Sequence, residues 1–213
     1  MLPSRNARRL RLALTGLAVA CVMGTAAWPA GAAESYSEDA VKAAFLYRFT
    51  GYVEWPAQAL ADTRFTIAVL NADGVAAELE RLLQNRLIQS RAAQVRPIKT
   101  IKELDGAQML YIGAAHREEL RHLIAATAGR PVLVVTNEEG GLDSGSTVNF
   151  LLIDQRVRFE ISLDAAESSS LKVASELLAV AIRVRGRRLT EAGCDEAGSS
   201  TDGAACIREA ARR

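Results

Sequence analysis

The chain has 213 residues, about one and a half times the usual length of a domain. Its 26 Lys and Arg residues nearly balance 25 Asp and Glu residues, which argues against a general nucleic-acid binder, because such a protein would show a large basic excess. With 49% hydrophobic and 24% charged residues the chain is globular, and its two histidines and three cysteines exclude a metal-rich protein or a disulfide-dense scaffold.

Residues 1–32 have the layout of a secretory signal peptide. Four arginines precede an apolar run from Leu12 to Ala27, and a small-x-small cleavage site follows at residues 30–32. The run is shorter than the ~20 residues of a membrane span, which favours cleavage over an uncleaved anchor. Cys21 lies in a loose match to a lipoprotein processing site, so acylation of Cys21 is a minor alternative.

Cleavage would remove four positive charges and no negative ones, which changes the net charge from +1 to −3. No later stretch reaches the ~18 uncharged apolar residues of a membrane span, so we expect the exported chain not to span a membrane. We expect one domain over residues 33–186 and a flexible Arg/Gly/Ser-rich tail over residues 187–213.

Two cysteines, Cys194 and Cys206, remain in that tail after cleavage. Export leads to an oxidising compartment, where a disulfide between them would close a loop of about 13 residues and contribute about 3 kcal/mol at most. We expect this local disulfide, and a redox switch or an intermolecular bond are the alternatives.

Helices and strands alternate along the first part of the domain. Apolar residues at spacings of three and four predict a helix over residues 38–52 with Ser37 as its N-cap, and residues 52–56 are then extended, because Pro56 cannot continue a helix. Strands are predicted over residues 65–70, 94–98, 108–112 and 132–136, with a helix from Asp73 as N-cap to residue 83 and another over residues 116–127. This alternation predicts an α/β sandwich with a mixed, largely parallel central sheet flanked by helices.

A C-terminal antiparallel hairpin is predicted from residues 147–153 and 156–163. If residue 153 faces residue 156, every pair on one face is apolar, including Phe150 opposite Phe159, which supports this register. Arg156, Arg158, Glu160 and Ser162 would then point outward, towards water or a partner. A last helix is predicted over residues 170–183 with the serines of residues 168–170 at its N-cap, and the basic residues 183–188 would form its solvated end.

The sequence contains no dinucleotide-binding, P-loop, nucleophile-elbow or zinc-protease motif. His116 and His122 are six residues apart, so they point to different sides of a helix. The acidic loop over residues 138–143 lacks the alternating ligand order of a calcium loop. We therefore predict no catalytic site, no metal site and no cofactor.

Aromatic residues are few, at 5% of the chain, yet three of them cluster near Pro56. One interpretation is that Tyr47, Tyr52 and Trp55 are ordinary core residues at the edge of the sheet. The other is that they form a surface that binds a ligand or partner, because Trp and Tyr often contribute most of the binding energy of an interface.

Several segments together resemble the YfiR family of exported bacterial proteins, named for the periplasmic repressor of a membrane diguanylate cyclase. The segment AFLYRF (residues 44–49) and the following YVEWP (residues 52–56) carry the resemblance first. It continues through residues 109–112, 131–133, 145–150, 157–161 and 171–178, and so covers roughly residues 41–182.

The resemblance implies an α/β sandwich, often dimeric, without a catalytic site. Such a protein binds the periplasmic domain of the cyclase and holds it inactive, so that its release raises cyclic di-GMP. Family members often carry Cys where this chain has Ala107-Gln108, and Asn where it has Ser162. Redox control through the folded domain is therefore not expected here.

Three functional hypotheses follow. The leading one is a periplasmic regulator that represses a membrane diguanylate cyclase, or a sensor kinase in its place, with contacts at Tyr52, Glu54, Trp55, Pro56, Arg158 and Glu160. The second is a small-ligand-binding accessory protein of a sensor histidine kinase or transporter, which would use the crevice at the carboxyl ends of the parallel strands. The third is a hydrolase, for which His116 and His122 are the only general-base candidates at neutral pH.

Overall fold

The structure is a computed structural model, and it describes residues 37–186. The predicted signal peptide over residues 1–32 with Cys21, and the tail over residues 187–213 with the Cys194–Cys206 pair, lie outside the described residues. The α-helices of this described range are α1 (Glu38–Phe49), α2 (Asp73–Leu83), α3 (Arg117–Ala125), α4 (Leu163–Ser168) and α5 (Ser175–Val180). Its strands are β1 (Val53–Glu54), β2 (Arg64–Leu70), β3 (Leu87–Ile88), β4 (Arg91–Ile98), β5 (Met109–Ile112), β6 (Leu133–Thr136), β7 (Val148–Ile153), β8 (Arg156–Ser162), β9 (Lys172–Val173) and β10 (Arg183–Arg185).

Eight of these strands form one mixed sheet in the order β10-β8-β7-β6-β5-β2-β4-β3. Five of its pairings are parallel, and only β7-β8 and β3-β4 are antiparallel. The strands β1 and β9 form a separate antiparallel pair, in which Val53 lies opposite Val173. The predicted α/β architecture with a largely parallel sheet is confirmed.

Helices cover both faces of the sheet, because its central strands are apolar on both sides. In β2, Phe65, Ile67 and Val69 pack into a core with α1 and α2, whereas Ala68 and Leu70 pack into a second core with α3. Successive side chains of a strand point to opposite faces, which produces these two layers from one apolar run. Within the described residues, no helix is long and apolar enough to cross a membrane.

The structure confirms where α1 begins, but some of the α1 residues that were expected to face the core do not. The hydroxyl of Ser37 accepts a 3.1 Å hydrogen bond from the backbone N–H of Ala40, which is an N-cap. Leu46 and Phe49 are fully buried as expected, but Ala44 is exposed and Phe45 is only half-buried. The reason is that α1 packs against α2 as well as against the sheet, a contact that periodicity alone does not reveal.

The hairpin has the predicted register, with Ile153 opposite Arg156 and Phe150 opposite Phe159. The predicted last helix over residues 170–183 is wrong. Its span holds β9, the six-residue α5 and the start of β10. Strand β9 pairs with β1, and β10 pairs with β8, so two long-range pairings override the helical spacing of the apolar residues.

Two predicted N-caps are also wrong. Asp73 is the first residue of α2, and Ala72 occupies the cap position. Ser168 is the last residue of α4 and the next two serines follow it, whereas Ala174 occupies the cap position of α5. The capping serine of α4 is Ser162, whose hydroxyl accepts a 3.2 Å hydrogen bond from the N–H of Ala165.

Candidate functional site

The segment over residues 52–56 is anchored to the sheet by its tryptophan. Trp55 is 6% exposed, and its indole N–H donates a 2.9 Å hydrogen bond to the carbonyl of Gln108. Its ring meets that of Phe65 edge to face at 5.0 Å. Trp55 is therefore core and not a contact surface, which corrects its prediction as a partner-binding residue. Its neighbours Tyr52 and Glu54 are exposed, and Pro56 is half-buried.

Gln108 organises this end of the sheet. Its side-chain N–H group donates to the carbonyl of Ala59 at 2.8 Å, and its side-chain oxygen accepts from the backbone N–H of Thr66 at 2.7 Å. Together with the indole bond to its carbonyl, these contacts fix residues 55–59 against the amino ends of β2 and β5. No pattern in the sequence indicates this role, because a single buried glutamine does not belong to a motif or to a periodic set of residues.

Glu160 does not point into solvent. It is 4% exposed, and one carboxylate oxygen accepts a 3.0 Å hydrogen bond from the amide of Asn149 on β7. The other oxygen lies 3.4 Å from the guanidinium of Arg183, an ion pair without the geometry of a hydrogen bond. Ser162, also predicted to be outward, is 5% exposed. The short 3-10 helix Leu142–Ser144 contacts β8, and so this half of the outer face is covered.

The register already contained a signal for the polar pair. With residue 153 opposite residue 156, Asn149 is opposite Glu160. Asn149 is the only polar residue of β7, and a polar residue facing another across a hairpin indicates a hydrogen-bonded pair. The strand β10, which supplies Arg183, could not be foreseen from the helical pattern. Its Arg185 likewise pairs with Asp143 at 2.8 Å, so these arginines lie on a strand and not on the solvated end of a helix.

Arg156 and Arg158 are the two exposed residues among the four hairpin residues predicted to point outward, and both border a groove. The groove has a volume of about 550 Å³ and lies between the amino half of α1 and the tip of the hairpin. Val41 and Phe45 line it from α1, and Leu152 and Val157 line it from the hairpin. Its polar rim consists of Glu38, Gln155, Arg156 and Arg158. We call this feature the α1–hairpin groove.

The positive charges of the α1–hairpin groove are not neutralised within the described residues. Glu38 pairs with Lys42 at 2.6 Å, one turn along α1. Arg156 and Arg158, and Arg48 further along the same flank of α1, make no ion pair there. Two guanidiniums on the rim, and a third beside the adjoining hollow along α1, therefore lie next to this apolar floor without a carboxylate partner in the described residues.

The structure does not bring the two predicted contact regions together. Trp55 binds Gln108, which lies one residue before the start of β5. Arg158 lies opposite Leu151, and Leu151 is two residues beyond the point where β7 pairs with the last residue of β6. At about 3.3 Å per residue, these levels are about 20 Å apart along the strands. Residues 52–56 and Arg158 are thus at opposite ends of the sheet.

At the point where the strand order reverses, the segments that follow β2 and β5 lie in direct backbone contact. The N–H of Gly113 after β5 donates to the carbonyl of Leu70 at 2.8 Å, and a Cβ on Gly113 would lie only 2.2 Å from the carbonyl oxygen of Asn71. A neighbouring hollow of about 390 Å³ is lined by Ala114, Ala115, His116, Glu119 and Glu138.

Tyr111 lies under α1 near this edge and is 1% exposed. Burial raises the pKa of Tyr111 far above its ordinary value, and the nearby carboxylates of Asp39 and Glu38 raise it further.

The histidines do not form a joint site. His116 occupies the N-cap position of α3 and His122 lies in its last turn, and both are exposed. Over residues 37–186 no cluster of three or more His, Cys, Asp or Glu side chains could hold a metal ion.

The described residues define an α/β domain whose prominent surface feature is an apolar groove with a basic rim. The sequence profile of the YfiR/HmsC-like family matches residues 39–182, nearly the whole described fold, and the chain belongs to this family. The resemblance found in the sequence motifs is thereby confirmed. Members of this family are regulatory proteins of the periplasm that act with a membrane diguanylate cyclase.

Two solved structures give weaker likenesses. A conserved domain protein from Vibrio cholerae matches at a TM-score of 0.45 and 9% identity, over 70% of this chain and 60% of that chain. The ABC domain from Streptococcus pneumoniae, in complex with L-Trp, matches at a TM-score of 0.42 and 9% identity, over 56% of this chain and 55% of that chain. At these scores neither likeness bears on function.

Proposed function

We propose that this protein is an exported repressor that binds the periplasmic domain of a membrane diguanylate cyclase and holds the enzyme inactive. The observation that carries this proposal is the match of the YfiR/HmsC-like family to residues 39–182. The signal-peptide pattern of residues 1–32 supports it, because the proposed partner domain lies in the periplasm.

Repression of this kind is a shift between two states of the cyclase. The repressor can shift that equilibrium only by the difference between its affinities for the inactive and the active state. Coupling of this kind is typically about 1–3 kcal/mol, or about 5- to 150-fold. The protein itself needs no catalytic residue for this role.

The proposed contacts are those residues of the set predicted from the sequence that the fold does not bury. Tyr52, Glu54 and Pro56 form one proposed contact region, and Arg158 belongs to the other. Because the two regions lie at opposite ends of the sheet, substitutions in each of them can be tested separately.

Deletion of the gene in its native host tests the proposal. We expect cyclic di-GMP, measured by mass spectrometry of cell extracts, to rise in the deletion strain and to return when the full chain is supplied. A chain that lacks residues 1–32 should not restore the low level, because it would not reach the periplasm. Unchanged cyclic di-GMP in a strain whose cyclase gene is intact would contradict the proposal.

A further inference from the structure

Several apolar side chains that line the α1–hairpin groove are not covered by any other part of the described fold. Leu152 is 58% exposed, and Val41 and Phe45 are only half-buried even though the ring of Phe45 packs 5.5 Å from that of Phe159. Ala44 continues the apolar flank towards Arg48, along a second hollow of about 250 Å³. An apolar channel of this kind along a helix is suited to a second helix.

The positive charge beside the groove indicates that a helix bound there would carry negative charge. The guanidiniums of Arg48, Arg156 and Arg158 have no carboxylate partner in the described part of the chain, and Glu38 is already paired with Lys42. A bound segment with carboxylates flanking its apolar face would supply the missing counter-charges. Charge complementarity of this kind gives both specificity and fast association.

We propose that the α1–hairpin groove binds an acidic, amphipathic α-helical segment of the partner protein. This inference rests on the proposed function and adds to it the binding site and the chemistry of the segment bound. The apolar face of the segment packs on Val41, Phe45 and Leu152, and its carboxylates pair with the arginines of the rim.

Three other occupants fit the groove less well. A symmetric dimer through this surface would bring the rim arginines of both copies into one interface and would add no carboxylate that is not already paired, because Glu38 is bound to Lys42. The segment over residues 1–32 carries four arginines and no carboxylate, so its charge opposes that of the rim. A bilayer is flat, whereas the apolar residues lie in a concave groove with the ring of Phe45 half-buried at its floor.

The test compares two variants that change the net charge equally. The groove variant is Arg48→Glu with Arg158→Glu, and the control variant is Arg121→Glu with Arg130→Glu, on the opposite layer of the fold. All four arginines are exposed, so both variants should fold, and their thermal unfolding and periplasmic level are measured first. Each variant is then supplied to the deletion strain, and cyclic di-GMP is measured.

The purified exported chain is also titrated with two labelled peptides of about 18 residues, by fluorescence anisotropy. Both peptides carry leucines at helical spacing, and one has glutamates and the other lysines on its flanks. We expect the acidic peptide to bind at least about tenfold more tightly than the basic one, and the groove variant to lose about tenfold in affinity for it. The control variant should bind as the unmodified chain does.

The inference requires both results, namely that the groove variant fails to repress and that the acidic peptide is preferred. If the unmodified chain itself does not repress the cyclase, the proposed function fails. If it represses and the groove variant represses equally well, or if both peptides bind alike, the groove inference alone is overturned. Two further outcomes would also overturn it. If the unmodified chain binds vesicles of phosphatidylethanolamine and phosphatidylglycerol and the groove variant does not, the groove binds a membrane. If the unmodified chain sediments as a dimer and the groove variant as a monomer, the groove binds a second copy.

Discussion

Asn149 and Glu160 lie directly opposite each other across the β7-β8 hairpin, and the Asn149 amide donates a 3.0 Å hydrogen bond to the buried Glu160 carboxylate. The side-chain oxygen of Asn149 accepts from the hydroxyl of Thr136 at 2.8 Å and from the backbone N–H of Glu138 at 3.2 Å. Glu160 in turn lies 3.4 Å from Arg183. These contacts join β6, β7, β8 and β10 through polar side chains inside the fold.

Replacing Asn149 should therefore destabilise the protein strongly. Asn149→Leu leaves the buried carboxylate of Glu160 without its hydrogen bond, and we expect a loss of about 2–4 kcal/mol in the free energy of unfolding, measured in urea. The double variant with Glu160→Leu should be less destabilised than Asn149→Leu alone, because no buried charge then remains. The exposed Arg156→Gln serves as control, and an equal loss in that variant would contradict the interpretation.

Trp55 should contribute to stability rather than to binding. Trp55→Phe keeps an aromatic ring against Phe65 but removes the indole N–H that binds the carbonyl of Gln108, so we expect a loss of about 1 kcal/mol. Trp55→Ala removes the ring as well and should cost about 3–5 kcal/mol in thermal or urea unfolding. Tyr52→Ala, three residues earlier and exposed, should cost less than about 0.5 kcal/mol. A Trp55→Ala protein as stable as the unmodified chain would refute this assignment.

Gly141 should not tolerate a side chain. A Cβ there would lie 2.4 Å from both Asn149 Oδ1 and Thr136 Oγ1, so Gly141→Ala must displace the buried polar contacts. We expect a loss on the order of 1–3 kcal/mol in the free energy of unfolding. Gly51→Ala is the matched control, because its Cβ would meet the carbonyl oxygen of Arg48 at 3.5 Å, an ordinary contact. Equal stability of the two variants would show that the polar contacts can shift without cost.

Tyr111 should make the fold sensitive to alkali. The pKa of Tyr111 is raised in the folded protein, chiefly by burial, so above its unfolded value of about 10 the unfolded chain loses a proton that the folded chain keeps. The stability that this group provides is therefore complete below pH of about 10 and falls as the pH rises beyond it, by up to about 1.4 kcal/mol per pH unit. Tyr111→Phe has no such proton, and its unfolding free energy should decline less steeply between pH 9 and pH 11. Parallel declines in the two proteins would contradict the prediction.

Sequence patterns predicted those helices and strands in which the spacing of apolar residues matches the faces that the fold buries. The strands around residues 65–70, 109–112 and 133–136 were predicted because both of their faces are buried, so their apolar runs are unbroken. The hairpin register was predicted because a shift by one residue would have put polar side chains into the core. The family motifs lie in these same elements, and so the family could be inferred from the residues.

The candidate surface was only half predicted. Arg158 was assigned correctly to an exposed position, but the strict alternation of β8 also placed Glu160 outside, where the Leu142–Ser144 turn and Arg183 in fact cover it. The sequence is compatible with Trp55 either in the core or on a binding surface. Its indole hydrogen bond to Gln108, 53 residues away in the chain, places it in the core.

The local sequence by itself determined the α/β class, the succession of strands and helices along the first part of the domain, and the pairing of the hairpin. Each of these depends on side chains that are close together along the chain. Only the tertiary structure decided which polar and aromatic residues are buried, that the last predicted helix divides into β9, α5 and β10, and that α1 leaves a groove beside the hairpin. Those outcomes depend on partners distant in sequence, whose contacts outweigh local spacing by burying surface that no single segment could bury alone.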